Sequence, residues 1–139
     1  MESYLLTIVT PEKKIIEQQI RSLIAPGSEG YLGILAHHTP ILTSLVPGKL
    51  TIKDTTDSET FFAISGGFLE VAGNKATILA DAIEKAEDID LMRAQQAETR
   101  AREILTQSTR DSVEFTHAEA CLERALNRIE IFNGHNPKK

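Results

Sequence analysis

The chain has 139 residues, a net charge of −5 and a pI near 5.4. That is enough for one ordinary domain, or a small domain with an appendage, and too little for a large catalytic cleft. The acidic balance gives no long-range attraction toward nucleic acid, so no nucleic-acid partner is expected. Cys121 is the only cysteine, which excludes an internal disulfide and fits a reducing compartment; it is expected as a buried helix residue.

In chain order, Glu2 and the lack of a base before Lys13 argue against a secretion signal, and the mature chain is expected to start near Met1. Tyr4 to Val9 is rich in β-formers and stops at Thr10-Pro11-Glu12. Lys14 to Glu17 and Gln19 to Ala25 read as two further strands, ended by Pro26-Gly27-Ser28-Glu29-Gly30. Tyr31 to Leu35 and Ile41 to Leu45 flank a polar corner at His37-His38-Thr39-Pro40. Residues 30–48 carry no charged side chain, but two prolines, two histidines and several hydroxyls make a membrane span a poor reading, since a span needs about 20 predominantly apolar residues. Pro47-Gly48 then reads as a turn into the alternating strand Lys49 to Lys53.

After the polar loop Asp54 to Ser58 come Thr60 to Ser65, Gly66-Gly67, Phe68 to Val71, a turn at Ala72 to Lys75, and Ala76 to Ala80. Eight to ten short strands without an intervening helix predict a mainly antiparallel β-sandwich or barrel. Gly66-Gly67 marks a kink or a close backbone approach and is too short to cradle a phosphate.

Between Ala80 and Ala94 the apolar period changes from two to three or four. The charge-rich join carries Glu84, Lys85, Glu87, Asp88 and Asp90 and separates a sheet unit, residues 1–85, from a helical unit, residues 86–139. Asp88 or Asp90 can cap a first helix running to about Thr106, with Ala94, Ala97, Ala101 and Leu105 along one stripe. Gln107 to Phe115 makes the turn, and Thr116-His117-Ala118-Glu119 matches a capping box for a second helix. That helix carries Ala118, Leu122, Ala125, Ile129 and Phe132 and is expected to stop at Asn133-Gly134 and Pro137. The fold class expected is α+β: the sandwich followed by an antiparallel two-helix hairpin. Each buried CH₂ is worth about 0.8 kcal/mol, so an alanine-rich seam holds its partner less firmly than a leucine seam would. Such a hairpin can open.

Six of the seven arginines lie in the last third of the chain. Arg93 and Arg100 flank the first helix's stripe, and Arg124 and Arg128 flank the second's. Neither Arg124 nor Arg128 has an acidic residue three or four positions away. They are solvated, or paired with carboxylates of the facing helix, or form a clamp for phosphate or carboxylate; spacing alone does not choose. His37-His38 lacks a cysteine or spaced acid to complete a metal set, so no metal is expected. Ser65 before Gly66-Gly67 lacks the strand-to-helix elbow of a nucleophile, so no catalytic residue is expected and the chain is not read as an enzyme.

Gly27-Ser28-Glu29-Gly30-Tyr31-Leu32-Gly33-Ile34-Leu35, His38-Thr39-Pro40, Pro47-Gly48, Ser65-Gly66-Gly67-Phe68-Leu69-Glu70-Val71, Ala80-Asp81 and Ile89-Asp90-Leu91-Met92-Arg93-Ala94 together resemble the epsilon subunit of F-type rotary ATP synthases over nearly the whole chain. The resemblance implies a non-catalytic central-stalk component that couples proton transport to ATP synthesis. It also implies that the C-terminal hairpin either folds against the sandwich or extends into the alpha/beta catalytic head, where it blocks ATP hydrolysis. By the same likeness Glu29 and Leu32 face the membrane rotor ring and His38 faces the gamma subunit. No cofactor is required, but ATP is implied as a regulatory ligand at Ile89, Asp90, Arg93 and Ala94, with Glu84, Arg100, Arg124 and Arg128 at the remaining ligand positions. The expected location is peripheral, on the cytoplasmic face of the bacterial inner membrane, or on the stromal face of the thylakoid for a plastid-encoded chain. The alternative reading is a free-standing ATP-sensing adaptor whose hairpin closes on nucleotide.

Overall fold

The computed structural model describes residues 2–135, and their contacts divide between Lys85 and Ala86 into two units. The first contains seven strands: β1 (Tyr4–Val9), β2 (Lys14–Gly27), β3 (Gly30–Leu35), β4 (Ile41–Asp54), β5 (Glu59–Ala72), β6 (Lys75–Ala80) and β7 (Ile83–Lys85). They pair in the order β1-β6-β5-β4-β2, and β1 pairs again with β2, closing the sheet on itself. β3 is attached to β2 and β7 to β5. The β1–β6 pairing is parallel and all other pairings of the described residues are antiparallel.

Alternation dictates the core. Tyr4, Leu6 and Ile8 on β1, Leu50 and Ile52 on β4, Phe62 and Ile64 on β5, and Ala76, Ile78 and Ala80 on β6 point inward at every second residue. The phenol of Tyr4 is held in this core by donating to the Ile34 carbonyl at 2.6 Å, and burial pushes its ionisation well above the ordinary tyrosine range.

The strand count is seven rather than eight to ten because three pairs of expected strands are single elements. Lys14 to Ala25 is continuous. So is β4 through Pro47-Gly48, which does not turn: Pro47 stays opposite Ser65 and Gly48 opposite Ile64. On its other edge β4 loses β2 between Thr51 and Leu45, and a proline without an N–H fits that gap. The Lys49 N–H, left without a β2 carbonyl, donates instead to the Tyr31 phenol oxygen at 3.1 Å. β5 runs through Gly66-Gly67, and β7 continues the β6 register on β5 after a two-residue break at Asp81-Ala82.

At the β4–β5 turn the Asp54 carboxylate accepts from Thr56 Oγ1 at 2.7 Å, Thr56 N at 2.8 Å and Ser58 N at 3.0 Å. These bonds, the Thr56 hydroxyl first, hold its ionisation below the usual carboxylate range. A depressed folded-state value means the turn's stabilisation is present above the unfolded carboxylate range and is lost as pH falls through the folded value. Amide exchange at Thr56 and Ser58 is therefore expected to accelerate on acidification in the wild type relative to residues outside the turn. In Asp54→Ala it is expected to be fast at all pH values.

The second unit begins with a 3-10 turn at Ala86–Asp88, followed by α1 (Leu91–Gln107) and α2 (Val113–His135). Asp90 is the N-cap of α1, its Oδ1 accepting from the Arg93 N–H at 3.2 Å. The cap of α2 is Ser112, whose Oγ accepts from the Phe115 N–H at 3.1 Å. The expected capping box is therefore not used. Thr116 already lies inside the first turn, with its Oγ1 turned back to the Ser112 carbonyl at 3.4 Å. α2 also runs through Asn133-Gly134 to His135, because one glycine costs a helix only about 1 kcal/mol; Pro137 lies outside the described residues.

The helices pack through Ala94 and Ala101 of α1 and Ala118 and Ala125 of α2, all buried, bordered by half-buried Leu105, Leu122 and Ile129. The 3-10 turn packs on α2, with Ala86, Ile89 and Ile131 buried. Ile131 was missed by the sequence stripe because it belongs to a second apolar face of α2, the side away from Ala118 and Ala125.

Candidate functional site

The candidate nucleotide residues divide by what already occupies them. Ile89 and Ala94 are buried at 4% and 0% exposure, and Asp90 holds the helix cap. These three fix the entry to α1, which is a structural task whether or not a ligand binds. Arg93 and Arg100 are exposed, and Arg100 lines an open groove of about 530 Å³ with Met92, Gln95, Gln96, Thr99 and Glu103. Arg124 is half-buried, and its Nη2 lies 3.4 Å from Cys121 Sγ; Arg128 is half-buried one turn further on. Glu84 sits half-buried on β7 in the sheet unit, opposite Ala63 of β5. The helix geometry thus groups Arg93 with Arg100 and Arg124 with Arg128.

Cys121 is half-buried rather than buried, because it sits beside the seam with His117 Nε2 3.5 Å from its sulfur. Among the described residues no group of three or more His, Cys, Asp or Glu is placed to hold a metal, and no helix is long and apolar enough to cross a membrane.

The candidate partner residues lie before, within and after β3. Glu29 is exposed at the tight β2–β3 turn, where Ser28 N donates to the Ser44 carbonyl at 3.1 Å. Leu32 is half-buried opposite Ala25 and packs on the core. His38 is half-buried in the β3–β4 loop, its Nδ1 2.6 Å from the Thr39 carbonyl. Six strand residues separate Glu29 from the loop, a rise of roughly 17–20 Å, so the chain presents two distinct surfaces. The histidines do not alternate across a strand; His37 adopts a left-handed backbone, φ 64°, in the loop.

The β-sandwich domain of the ATP synthase delta/epsilon chain matches residues 3–86, and the long α-helix domain of the same chain matches residues 87–133. The chain belongs to the ATP synthase delta/epsilon family. The ATP synthase epsilon chain of Syntrophobacter fumaroxidans is 42% identical over 130 residues, covering 94% of this chain and 96% of that one. That of Latilactobacillus sakei is 41% identical over 132 residues, covering 92% and 91%. A chain of the Euglena gracilis mitochondrial ATP synthase, solved as OSCP/F1/c-ring, superposes with a TM-score of 0.79 at 25% identity over 90% of this chain and 78% of its own length. The resemblance to the F-type epsilon subunit read from the sequence therefore holds, and the chain is a subunit of that ATP synthase.

In this chain the sequence features that carry the likeness also have local physical reasons. Gly66 and Gly67 take left-handed backbone (φ 115° and 140°) where β5 threads between β4 and β6. Asp90 caps, and Ala94 fits the seam. Sequence reasoning missed β7, whose three residues are too short to show a period, and the Ser112 cap, whose signal was Ser112 itself followed by Glu114 in the first helical turn.

Proposed function

We propose that the chain is a non-catalytic central-stalk subunit that couples proton transport to ATP synthesis and restrains ATP hydrolysis through its C-terminal hairpin. The observation that carries this reading is the seam: in the second unit the fully buried residues between α1 and α2 are four alanines, bordered by half-buried Leu105, Leu122 and Ile129. The four methyl groups contribute roughly 3 kcal/mol, less than the same positions would as leucines, so contacts with a partner have less to overcome. In the closed state α1 packs on α2; in the open state the helices extend toward the alpha/beta catalytic head and obstruct rotation. Glu29 and Leu32 would meet the membrane rotor ring, and the His38 loop the gamma subunit. The subunit would sit peripherally on the cytoplasmic face of a bacterial inner membrane, or the stromal face of a thylakoid.

ATP would act as a regulatory ligand that favours the closed hairpin. Arg93, Arg100, Arg124 and Arg128 supply forked donors for phosphate, while Ile89, Asp90 and Ala94 hold the entry to the helix that carries Arg93 and Arg100. The test combines two titrations of the full chain. Binding to purified gamma subunit is expected with a stable complex on size exclusion; absence of a complex overturns the stalk assignment. Titration with ATP is expected to show saturable binding that Arg124→Ala weakens at least 10-fold, and equal binding by both chains removes the arginines from the nucleotide role. ATP binding without any gamma complex would favour the free-standing adaptor.

A further inference from the structure

His37 has left-handed backbone, which is uncommon for a residue with a Cβ and costs free energy unless its surroundings impose it. What imposes it is Asn74. The His37 N–H donates to Asn74 Oδ1 at 2.6 Å, while Asn74 Nδ2 donates to the Ser3 carbonyl at 3.3 Å. The His37 ring adds a second tie, its Nε2 lying 2.5 Å from Glu2 Oε1. One amide side chain therefore joins three segments distant in sequence: the residues entering β1, the β3–β4 loop and the β5–β6 turn.

Asn74 can do this because of where the turn puts it. Ala72 pairs with Lys75, so Gly73-Asn74 is a two-residue hairpin loop, and both residues have positive φ (59° and 57°), the mirror-image turn that matches strand twist. Asparagine tolerates that backbone and still carries a side chain with both a donor and an acceptor. The turn itself would be served equally by glycine, so the side chain is surplus to the hairpin. The residue that follows the tied His37 is His38.

We propose that Asn74, seconded by Glu2, is a positioning residue that fixes the His37–Pro40 loop in the conformation presented to the gamma subunit. This deepens the stalk reading and rests on it. The loop has no regular secondary structure of its own between Leu35 and Ile41, so without the tie it must be ordered on binding, and affinity falls by the population of the competent conformer.

The test uses the full chain with Asn74→Gly, which keeps the left-handed turn and removes only the side chain, and Asn74→Asp, which keeps the acceptor for His37. Asn74→Gly is expected to accelerate exchange of the His37 amide at least 10-fold, leave core amides such as Leu69 and Ile78 unchanged, and weaken gamma-subunit binding about 5-fold or more at unchanged melting temperature. Asn74→Asp, which loses the donor to the Ser3 carbonyl, is expected to restore slow His37 exchange and only part of the affinity. Unchanged His37 exchange, or a freed loop with unaltered affinity, overturns the proposal. Failure of the wild-type chain to bind gamma is a separate outcome, visible before any variant is compared, and it overturns the stalk reading together with the inference built on it.

Discussion

Gly67→Ala is expected to destabilise the sheet unit by about 4 kcal/mol or more, lowering its melting temperature by roughly 15 °C or more. A Cβ built there lies 2.0 Å from the Leu79 carbonyl oxygen and 3.0 Å from the Ala80 Cα, both backbone atoms of the strand that Gly67 pairs with. It cannot be relieved by a rotamer change. The backbone at φ 140° adds its own cost for any residue with a side chain. Gly66→Ala is the control: its Cβ meets the end of the Asp81 side chain at 3.2 Å, which can move, so only the conformational cost at φ 115° is expected. Thermal melts of both variants check the ordering, and a Gly67→Ala chain within 1 kcal/mol of wild type would contradict it.

Ala101→Asp is expected to open the hairpin while leaving the sheet unit folded. Ala101 is 2% exposed, and a carboxylate introduced there at neutral pH has no designed partner, a burial that costs several kcal/mol. The four seam alanines contribute roughly 3 kcal/mol, with more from the bordering Leu105, Leu122 and Ile129, so a buried charge costs an amount comparable to the seam it enters. Exchange protection should be lost across α1 and α2 and retained at Leu6, Ile52 and Leu69, because the two units have separate cores. Loss of protection in both units together would show that the hairpin is not an independent element.

How much of this was legible beforehand follows from local physics. The period change near Ala86 located the join because strand and helix patterns differ within a few residues. Asp90 was readable as a cap, and Ala94 and Ala101 as seam, since helical spacing fixes them. Pro47-Gly48 misled because its turn signal is local, whereas its tolerance inside β4 depends on a gap in the β2 pairing and on Tyr31 reaching Lys49. Thr116 misled for the same reason: a matching capping box gave way to Ser112, four residues earlier, which caps α2 in fact. The site was legible only in part. The arginine spacing left solvation, pairing with the facing helix and an anion clamp open, and the tie from Asn74 to His37 and Ser3 spans 37 and 71 residues, a length no periodicity carries.

We propose that the two C-terminal helices regulate and the β-sandwich assembles. This is tested most directly by rebuilding the ATP synthase with a chain ending at Asp88. The truncated subunit is expected to join the complex as the full chain does, and the rate of ATP hydrolysis is expected to rise several-fold. A complex that incorporates the truncated chain and hydrolyses ATP at the full-length rate would contradict the claim.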